Sequence, residues 1–406
     1  MTKQQPTALV VALNNLAHDS RVLAEAETLH SAGYVVTAVG IVQTPDDERE
    51  QPMPFGRIVR VLSSSKALER GRLGVQPESR GKSPARMGVI ADARVFFGRL
   101  REDWRVYRAT RAIRPDVVIT CDLNALPIGF LFRRSSGSST IYDVHELWTD
   151  QPGVGGRLLK ALYRIQERFL IGRADAVVTV NAELARVLTE RYALGVPPYV
   201  VYNGPSECRV PNAEVATPLR LIAQGTYSSD RGLDELLDAM HRLRGTAHLS
   251  LQGYGPLEAH LRRRVEEEGL RDVVRFVEPC APGDVVASAS AYDVGLVSIK
   301  PTCLNSELST PNRLFSYLGA GLCVVASDIP AVRSIVQTAG CGIVLESLDR
   351  DHIVRAVCAL AADPERVVDM KRRSSAACAD YSWAVQAKVM LEAVSQAVQS
   401  RAVRRA

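Results

Sequence analysis

The sequence predicts an α/β protein made of two Rossmann-like halves of similar size. Three observations carry this. Short β-rich apolar runs alternate with amphipathic helical stretches, the pattern of parallel strands with helices on both faces. The alternation breaks at Asn203-Gly204-Pro205 and the polar, Pro-containing stretch Ser206–Pro218, then restarts at Arg220. A chain of 406 residues is also long enough for two or three domains with cores of their own.

In the first half, the apolar run Ala8–Leu13 is expected as the opening strand. Asp19–Ala32 has helical spacing and stops at Gly33, a residue suited to the turn after a helix. Val35–Ile41, Arg57–Leu62, Val117–Thr120, Thr140–Asp143 and Ala176–Val180 continue the strands, and Tyr199–Val201 closes the half. Helices are expected over Ile90–Ile113, Val154–Arg173 and Glu183–Tyr192. Ser63–Met87, rich in Gly, Ser, Pro and charge without a period, reads as a long loop.

In the second half, strands are expected at Arg220–Gln224, His248–Gln252, Val273–Val277, Val294–Val297, Cys323–Ala326 and Gly342–Leu345. Between them fall helices Leu233–Leu243, Pro256–Gly269, Gly283–Ala289, Pro311–Gly319 and Pro330–Thr338, followed by Asp351–Ala362 and Pro364–Ala379. Ser382–Arg401 has helical spacing and is expected to fold back on the first half. This divides the chain into residues 1–204, 205–381 and a C-terminal helix, 382–406. Ligands of such sheets lie beyond the carboxyl ends of the strands, so two facing halves would make a cleft.

Composition narrows the function classes. Hydrophobic residues at 46% and charged residues at 23% are an ordinary globular balance, which excludes a collagen-like or largely disordered chain. No apolar run approaches the roughly 18–20 residues needed to cross a bilayer. Ala8–Leu13 is too short for a signal peptide and lacks a cleavage site after it, so the expectation is a cytoplasmic protein. The eight cysteines form no C-x-x-C pair and are expected as reduced thiols rather than a zinc site. Between Arg57 and Arg114 fifteen Lys/Arg face five Asp/Glu, which points to an anionic partner for that region. Nucleic acid is not expected, because zinc-finger spacing and aromatic RNA-binding signatures are missing. The helix Ile90–Ile113 mixes Arg94, Arg99, Arg101, Arg105 and Arg108 with Phe96, Phe97, Trp104 and Tyr107. It reads either as a core helix with a solvated Arg face or as a peripheral contact with the inner face of an anionic membrane.

The most informative motif is Ser309-Thr310-Pro311-Asn312-Arg313-Leu314-Phe315-Ser316-Tyr317. Ser309 or Thr310 is placed to cap a helix, and Pro311 suits its first turn. The free N–H groups there would favour an anion such as a diphosphate, although an ordinary capped helix has the same pattern. Arg231 precedes a helix after a strand and loop, where a guanidinium can neutralise phosphate. Gly253 and Gly255 would let backbone approach a nucleotide. They are not a dinucleotide fingerprint, since no G-x-G-x-x-G follows the first strand.

These segments together resemble the retaining glycosyltransferase family four, of the GT-B fold, in its Pro-Asn-Lys/Arg-Leu-Phe-x-Tyr subgroup. The donor-site helix is matched by residues 309–321 with Val324-Val325-Ala326-Ser327-Asp328-Ile329-Pro330 after it. The phosphate loop is matched by Gln224-Gly225-Thr226-Tyr227-Ser228-Ser229-Asp230-Arg231-Gly232-Leu233, and the Gly-x-Gly turn by Gln252-Gly253-Tyr254-Gly255-Pro256. Tyr142-Asp143-Val144-His145-Glu146-Leu147 matches the His motif, and Asn14 with His18-Asp19-Ser20-Arg21-Val22 the first-strand loop. Five matches in this order span nearly the whole chain.

The resemblance implies transfer of a sugar, with retention, from a nucleotide sugar to an acceptor hydroxyl on a sugar, small molecule or lipid-linked acceptor, without a catalytic metal or other cofactor. It implies Arg231 as the diphosphate-neutralising residue and His145 as a hydrogen-bonding partner of the donor sugar. Gly225, Thr226, Gly253, Gly255, Val277, Glu307, Ser309, Thr310, Pro311, Asn312, Arg313 and Ser316 fall to donor binding. Asn14, Asp19 and Arg21 fall to an acceptor or phosphate loop. The sequence departs from the pattern at Thr226, where many relatives have a second basic residue, with Arg313 the available substitute. It departs again at Ser316, where relatives carry a ribose-binding Glu, and at Leu308, beside Glu307. Two other readings share the resemblance: a catalytically silent GT-B subunit that binds a nucleotide or partner enzyme, and a nucleotide-sugar epimerase.

Overall fold

The computed structural model describes residues 5–17, 19–44, 48–63, 88–151 and 153–405. His18 and nearly all of the segment 63–87 lie outside them. The chain divides into two compact units, one of residues 1–202 with 387–406 and the other of residues 203–386.

The first unit is a sheet covered by helices. In chain order its elements are β1 (Thr7–Val11), α1 (Ser20–Ser31), β2 (Val35–Val42), β3 (Glu50–Met53), β4 (Gly56–Leu62), α2 (Val89–Thr110), β5 (Val117–Cys121), α3 (Leu126–Ser136), β6 (Ser139–Val144), α4 (Arg157–Ile171), β7 (Ala176–Thr179), α5 (Ala182–Tyr192) and β8 (Tyr199–Val200). The strand order is β3-β4-β2-β1-β5-β6-β7-β8. Neighbours are parallel apart from β3, which pairs antiparallel with β4 at the edge. The central strands β1 and β5 are almost wholly buried, as parallel strands covered on both faces must be. Two elements were not expected from the sequence. β3 carries Pro52, which suits an edge strand, and α3 opens with Leu126-Pro127 and contains Gly129, all turn-like signals. Gly129 is required there, since a Cβ would lie 2.9 Å from Cγ2 of Thr120 on β5.

The second unit holds β9 (Leu219–Gln224), α6 (Leu233–Met240), β10 (Ala247–Gln252), α7 (Glu258–Glu267), β11 (Val274–Val277), α8 (Val285–Ala289), β12 (Val294–Val297), α9 (Leu304–Glu307), α10 (Asn312–Ala320), β13 (Cys323–Ser327), α11 (Pro330–Ala339), β14 (Gly342–Leu345), α12 (Arg350–Ala361) and α13 (Pro364–Tyr381). Its sheet runs β11-β10-β9-β12-β13-β14 and is parallel throughout. Leu236, Leu237, Leu249, Leu251, Leu296 and Val357 sit in one continuous apolar core between sheet and helices. Below it, Asp293 is fully buried and accepts hydrogen bonds from Arg220 at 2.9 and 3.0 Å, with Lys371 at 3.4 Å.

The last helix, α14 (Trp383–Arg405), reaches the first unit. Within that unit Arg401 donates to the carboxylate and carbonyl of Asp116, and Arg404 pairs with Asp175.

Two expectations need correction. The stretch Ser206–Pro218 is not a free linker but part of the second unit: Arg209 N donates to Gly319 O at 2.7 Å, and Ser375 Oγ to Arg209 O at 2.9 Å. Nor are all the cysteines thiols. That packing brings Cys208 beside α13, where it forms a disulfide with Cys378, their Cα atoms 5.9 Å apart. Among the described residues, no helix is long and apolar enough to cross a membrane.

Candidate functional site

In the second unit, β9 and β10 run in register and end side by side at Gln224 and Gln252. Gln224 Nε2 donates to Gln252 Oε1 at 2.8 Å. The two loops beyond are joined by backbone: Gly225 N donates to Gln252 O at 2.9 Å, and Tyr227 N to Tyr254 O at 2.8 Å. A Cβ on Gly253 would stand 1.9 Å from Gly225 O, and one on Gly255 2.7 Å from Tyr227 N. The Gly-x-Gly turn is thus demanded by loop-to-loop contact. Gly225 and Thr226 remain exposed at the top of it. Val277 ends β11 next to Gln252 in the ladder, half-buried.

Arg313 lies in the first turn of α10 and points under this loop. It is buried, and donates from Nη1 to Gln224 O at 3.1 Å and from Nη2 to Ser298 O at 2.8 Å. Its Nε has no acceptor, and among the described residues no carboxylate pairs with it. Burial, and then the charge of nearby Arg231, pull the guanidinium down to about 10. Arg231 ends a short 3-10 turn, Ser229–Arg231, one-third exposed. Its carbonyl accepts from Ser298 Oγ at 2.6 Å, its Nε stands 3.5 Å from Asp230 Oδ2, and that Nε has no hydrogen-bond acceptor. Two guanidiniums therefore share one corner, one of them desolvated and, among the described residues, in no contact ion pair, with Asp230 the carboxylate whose charge reaches it. Such a pair is costly by itself and suited to an anion.

The helix start differs from the expectation. Pro311, extended at φ −70°, is itself the N-cap, and no side chain caps α10. Because the helix starts one residue late, Ser309 is too far back to reach its first amides. Its Oγ donates instead to Ser306 O at 2.9 Å, and Thr310 is buried. Asn312 Oδ1 accepts from Asn203 Nδ2 at 2.8 Å. Ser316 Oγ donates to Asn312 O, one turn back. Glu307, at the end of α9, is exposed.

In the first unit, the ends of β1, β5 and β6 meet at a charge chain. Arg21, from the first turn of α1, grips Asp143 with Nε and Nη2, both at 2.8 Å, and donates from Nη1 to Val201 O at 2.7 Å. Its Nε is also 3.2 Å from Glu25, which is fully buried. Asp143 Oδ2 lies 2.7 Å from His145 Nε2, while His145 Nδ1 is 3.6 Å from Asp122 Oδ2. Burial disfavours charge on Asp143, yet Arg21 and His145 outweigh it and hold the carboxyl well below its usual range. Burial also opposes charge on His145, but Asp143 and Asp122 raise it to about 10. Burial pushes Asp122 to about 7. The expectation that Arg21 contacts acceptor or phosphate is therefore corrected: every arm of its guanidinium is spent inside the fold. Asp19 is likewise engaged, accepting from Val22 N at 3.2 Å as the cap of α1 and from Asn14 Nδ2 at 2.7 Å. Asn14 in turn accepts from Leu16 N, shaping the loop.

Comparison with known proteins gives this geometry a family. Residues 8–204 match the family described as Glycosyl transferase 4-like domain, and residues 218–363 the family Glycosyl transferases group 1. A sucrose-phosphate synthase from Thermosynechococcus elongatus superposes with a TM-score of 0.72 at 16% identity, covering 97% of this chain and 99% of that one. The Anabaena protein Alr3699/HepE, in complex with UDP-glucose, gives 0.68 at 13% identity over 96% and 99%. An alpha,alpha-trehalose-phosphate synthase (UDP-forming) from Burkholderia vietnamiensis gives 0.66 at 11% over 95% and 99%. No curated protein matches the sequence.

The chain belongs to the glycosyltransferases of the GT-B fold.

Sequence reasoning missed several residues that shape this glycosyltransferase. Glu25 stands four residues after Arg21 on α1, a spacing that signals an ion pair. Asp122, with φ 64°, follows β5 directly and accepts from His145 N at 3.0 Å, fixing the His loop. Tyr317, buried on α10, receives Gln224 N on its hydroxyl at 2.9 Å. Cys121, Asp143 and His145 place one ligand atom each within 4.8 Å of one another. Asp143 is already held by the Arg21 cation and the Cys121 thiol is pushed up by burial, so the group behaves as an ion-pair chain. The sequence also has one Asp-x-Asp triplet, Asp349-Arg350-Asp351. Asp349 caps α12 and Asp351 pairs with Arg350 at 3.1 Å.

The His145 shift carries a pH signature. Its folded value of about 10 lies above the ordinary 6.5, so its contribution is complete below about pH 6.5 and is lost as pH rises through about 10. The stability difference between wild type and His145→Gln, measured by urea unfolding, should shrink steadily between pH 7 and 10. A difference flat across that window would show that His145 is not held as a cation.

Proposed function

We propose that the chain transfers a sugar, with retention, from a nucleotide sugar to an acceptor hydroxyl, and that the second unit holds the donor diphosphate between Arg231 and Arg313. The observation that carries this is the buried Arg313 guanidinium, which among the described residues forms no ion pair with a carboxylate and stands close enough to Arg231 to feel its charge. A diphosphate would balance both cations. It would accept from Arg231 as negative charge grows on the leaving oxygen, the moment at which a fixed cation lowers the barrier most. Arg313 also supplies the second positive charge that Thr226 does not. The similar Anabaena protein binds UDP-glucose, which supports the same donor class here.

In this reading the bond from the anomeric carbon to the diphosphate oxygen breaks, and the acceptor oxygen bonds to the same face. The acceptor's proton passes to the departing phosphate. His145 is not the base for that proton, because Asp143 and Asp122 keep it protonated; it serves as a hydrogen-bond donor to a sugar hydroxyl. The paired arginines make a catalytic metal unnecessary. Asn14 and its loop fall to the acceptor, and Ser316 and Glu307 to the ribose. In this reading the protein meets its charged donor in the cytoplasm.

The test is incubation with a panel of UDP-, GDP- and dTDP-hexoses, following free nucleotide and sugar by mass spectrometry. Release of one nucleoside diphosphate supports transfer. Sugar conversion without release would establish an epimerase. No turnover, and no thermal stabilisation by any nucleotide, would leave a silent GT-B subunit as the better reading.

A further inference from the structure

The helix α2 sorts its charges in an unusual way. Its acids all face inward: Asp92, Glu102 and Asp103 are each no more than 2% exposed. Asp92 is consumed at the start of α4, accepting from Gly156 N at 2.9 Å and Leu159 N at 3.2 Å. The outward face is left with arginines and large apolar groups. Ile90, Phe97 and Trp104 are 71%, 59% and 50% exposed. They recur every seven residues, so they lie along one stripe of the helix. Arg94, Arg101 and Arg108 are exposed on the same face at spacings of three and four from those residues.

The neighbouring helix α4 repeats the arrangement. Phe96 of α2 packs on Tyr163 of α4, ring centroids 5.6 Å apart. The acid of α4, Glu167, is buried, held by the hydroxyls of Tyr142 and Tyr192. Ile165 and Phe169 are exposed at 66% and 51%, beside exposed Arg164 and Arg168.

A face of this composition repels a second copy of itself through its arginines. It lacks the acids that would pair with basic side chains of a protein partner. Its apolar stripe has no role toward a purely ionic ligand. Aromatic and aliphatic groups standing among cations match a bilayer interface that is negative at its surface and apolar just below. We infer that the outward faces of α2 and α4 dock the protein on an anionic lipid surface, with Ile90, Phe97 and Trp104 entering the headgroup boundary and Arg94, Arg101 and Arg108 meeting lipid phosphates. This goes beyond the donor reading and does not depend on it, since the docking face and the Arg231–Arg313 corner belong to different units.

The test is co-sedimentation of the full chain with phosphatidylcholine vesicles with and without 30% phosphatidylglycerol, following Trp fluorescence in parallel. Binding is expected to the anionic vesicles alone, weakened by salt, with a blue-shifted emission. Phe97→Ser/Trp104→Ser and Arg94→Glu/Arg101→Glu/Arg108→Glu should each lower the vesicle-bound fraction about tenfold while leaving the melting temperature within a degree or two. Nucleoside diphosphate binding should stay unchanged in both, so a failure here is separable from a failure of the donor reading. Absence of binding, equal binding to neutral vesicles, or binding untouched by both variants would overturn the inference. Tight binding to duplex RNA, lost in the arginine variant alone, would overturn it in favour of nucleic acid.

Discussion

Replacing Arg231 with alanine is expected to lower donor turnover about 100- to 1000-fold, the loss seen when one charge-stabilising donor leaves a developing oxyanion. The residue sits at a loop corner, one-third exposed; its backbone is held by Ser298 and Ser228, which alanine would keep, and among the described residues its side chain meets only Asp230, at 3.5 Å. The fold therefore has little to lose, and the melting temperature should barely move. Arg231→Lys should recover part of the rate, since a point charge survives but the planar fork does not. Arg313→Met makes the contrast. That guanidinium is desolvated with no contact ion pair among the described residues, so its removal relieves a cost even as two carbonyls lose a donor. The ligand-free protein should melt near the wild-type temperature, while stabilisation by UDP or GDP disappears. Turnover of Arg231→Ala within threefold of wild type, or an Arg313→Met protein still stabilised by nucleotide, would remove the diphosphate from this corner.

Asp143→Ala is expected to be the most damaging single change in the first unit. The carboxylate neutralises Arg21 through two 2.8 Å hydrogen bonds and holds His145 at 2.7 Å, and it is fully buried. Its loss strands one buried cation and releases another, a situation that costs about 3–5 kcal/mol. For a unit of this size that is a fall in melting temperature on the order of 10 °C. Adding Arg21→Met to Asp143→Ala should restore part of the loss, because the stranded charge goes with it. Calorimetry checks both. Additive effects of the two substitutions would mean that they do not act through each other.

Much of the fold was legible in the sequence, because buried parallel strands are written as short apolar runs rich in Val, Ile and Leu. Val294–Val297 and Gly342–Leu345 were expected with the bounds they have. The elements that escaped carry residues whose local meaning the fold overrides. Pro52 sits in an edge strand, and Gly129 lies in a helix because Thr120 leaves no room for a side chain. At the site, the motifs located the corner around Arg231 but not its electrostatics. That Arg313 is held by carbonyls rather than by a carboxylate contact among the described residues depends on Gln224 and Ser298, 89 and 15 residues away. Arg21 looked like a ligand contact because its partner Asp143 is 122 residues distant. Helix capping misled in the same way, since the extended Pro311 starts α10 one residue late and carries Ser309 out of reach.

The Cys208–Cys378 bond changes the topology of the second unit. Its two ends are 170 residues apart in sequence, so nearly the whole unit, sheet and helices together, forms a covalent ring. A ring tolerates a cut that a thread does not. A protease that opened any loop between Cys208 and Cys378, including the loop around Arg231, would leave both fragments tied together and the sheet still assembled from them. Such a nicked chain would run as one species without reductant and as two with it. The loops that handle a ligand could thus be broken without the unit losing half of its strands.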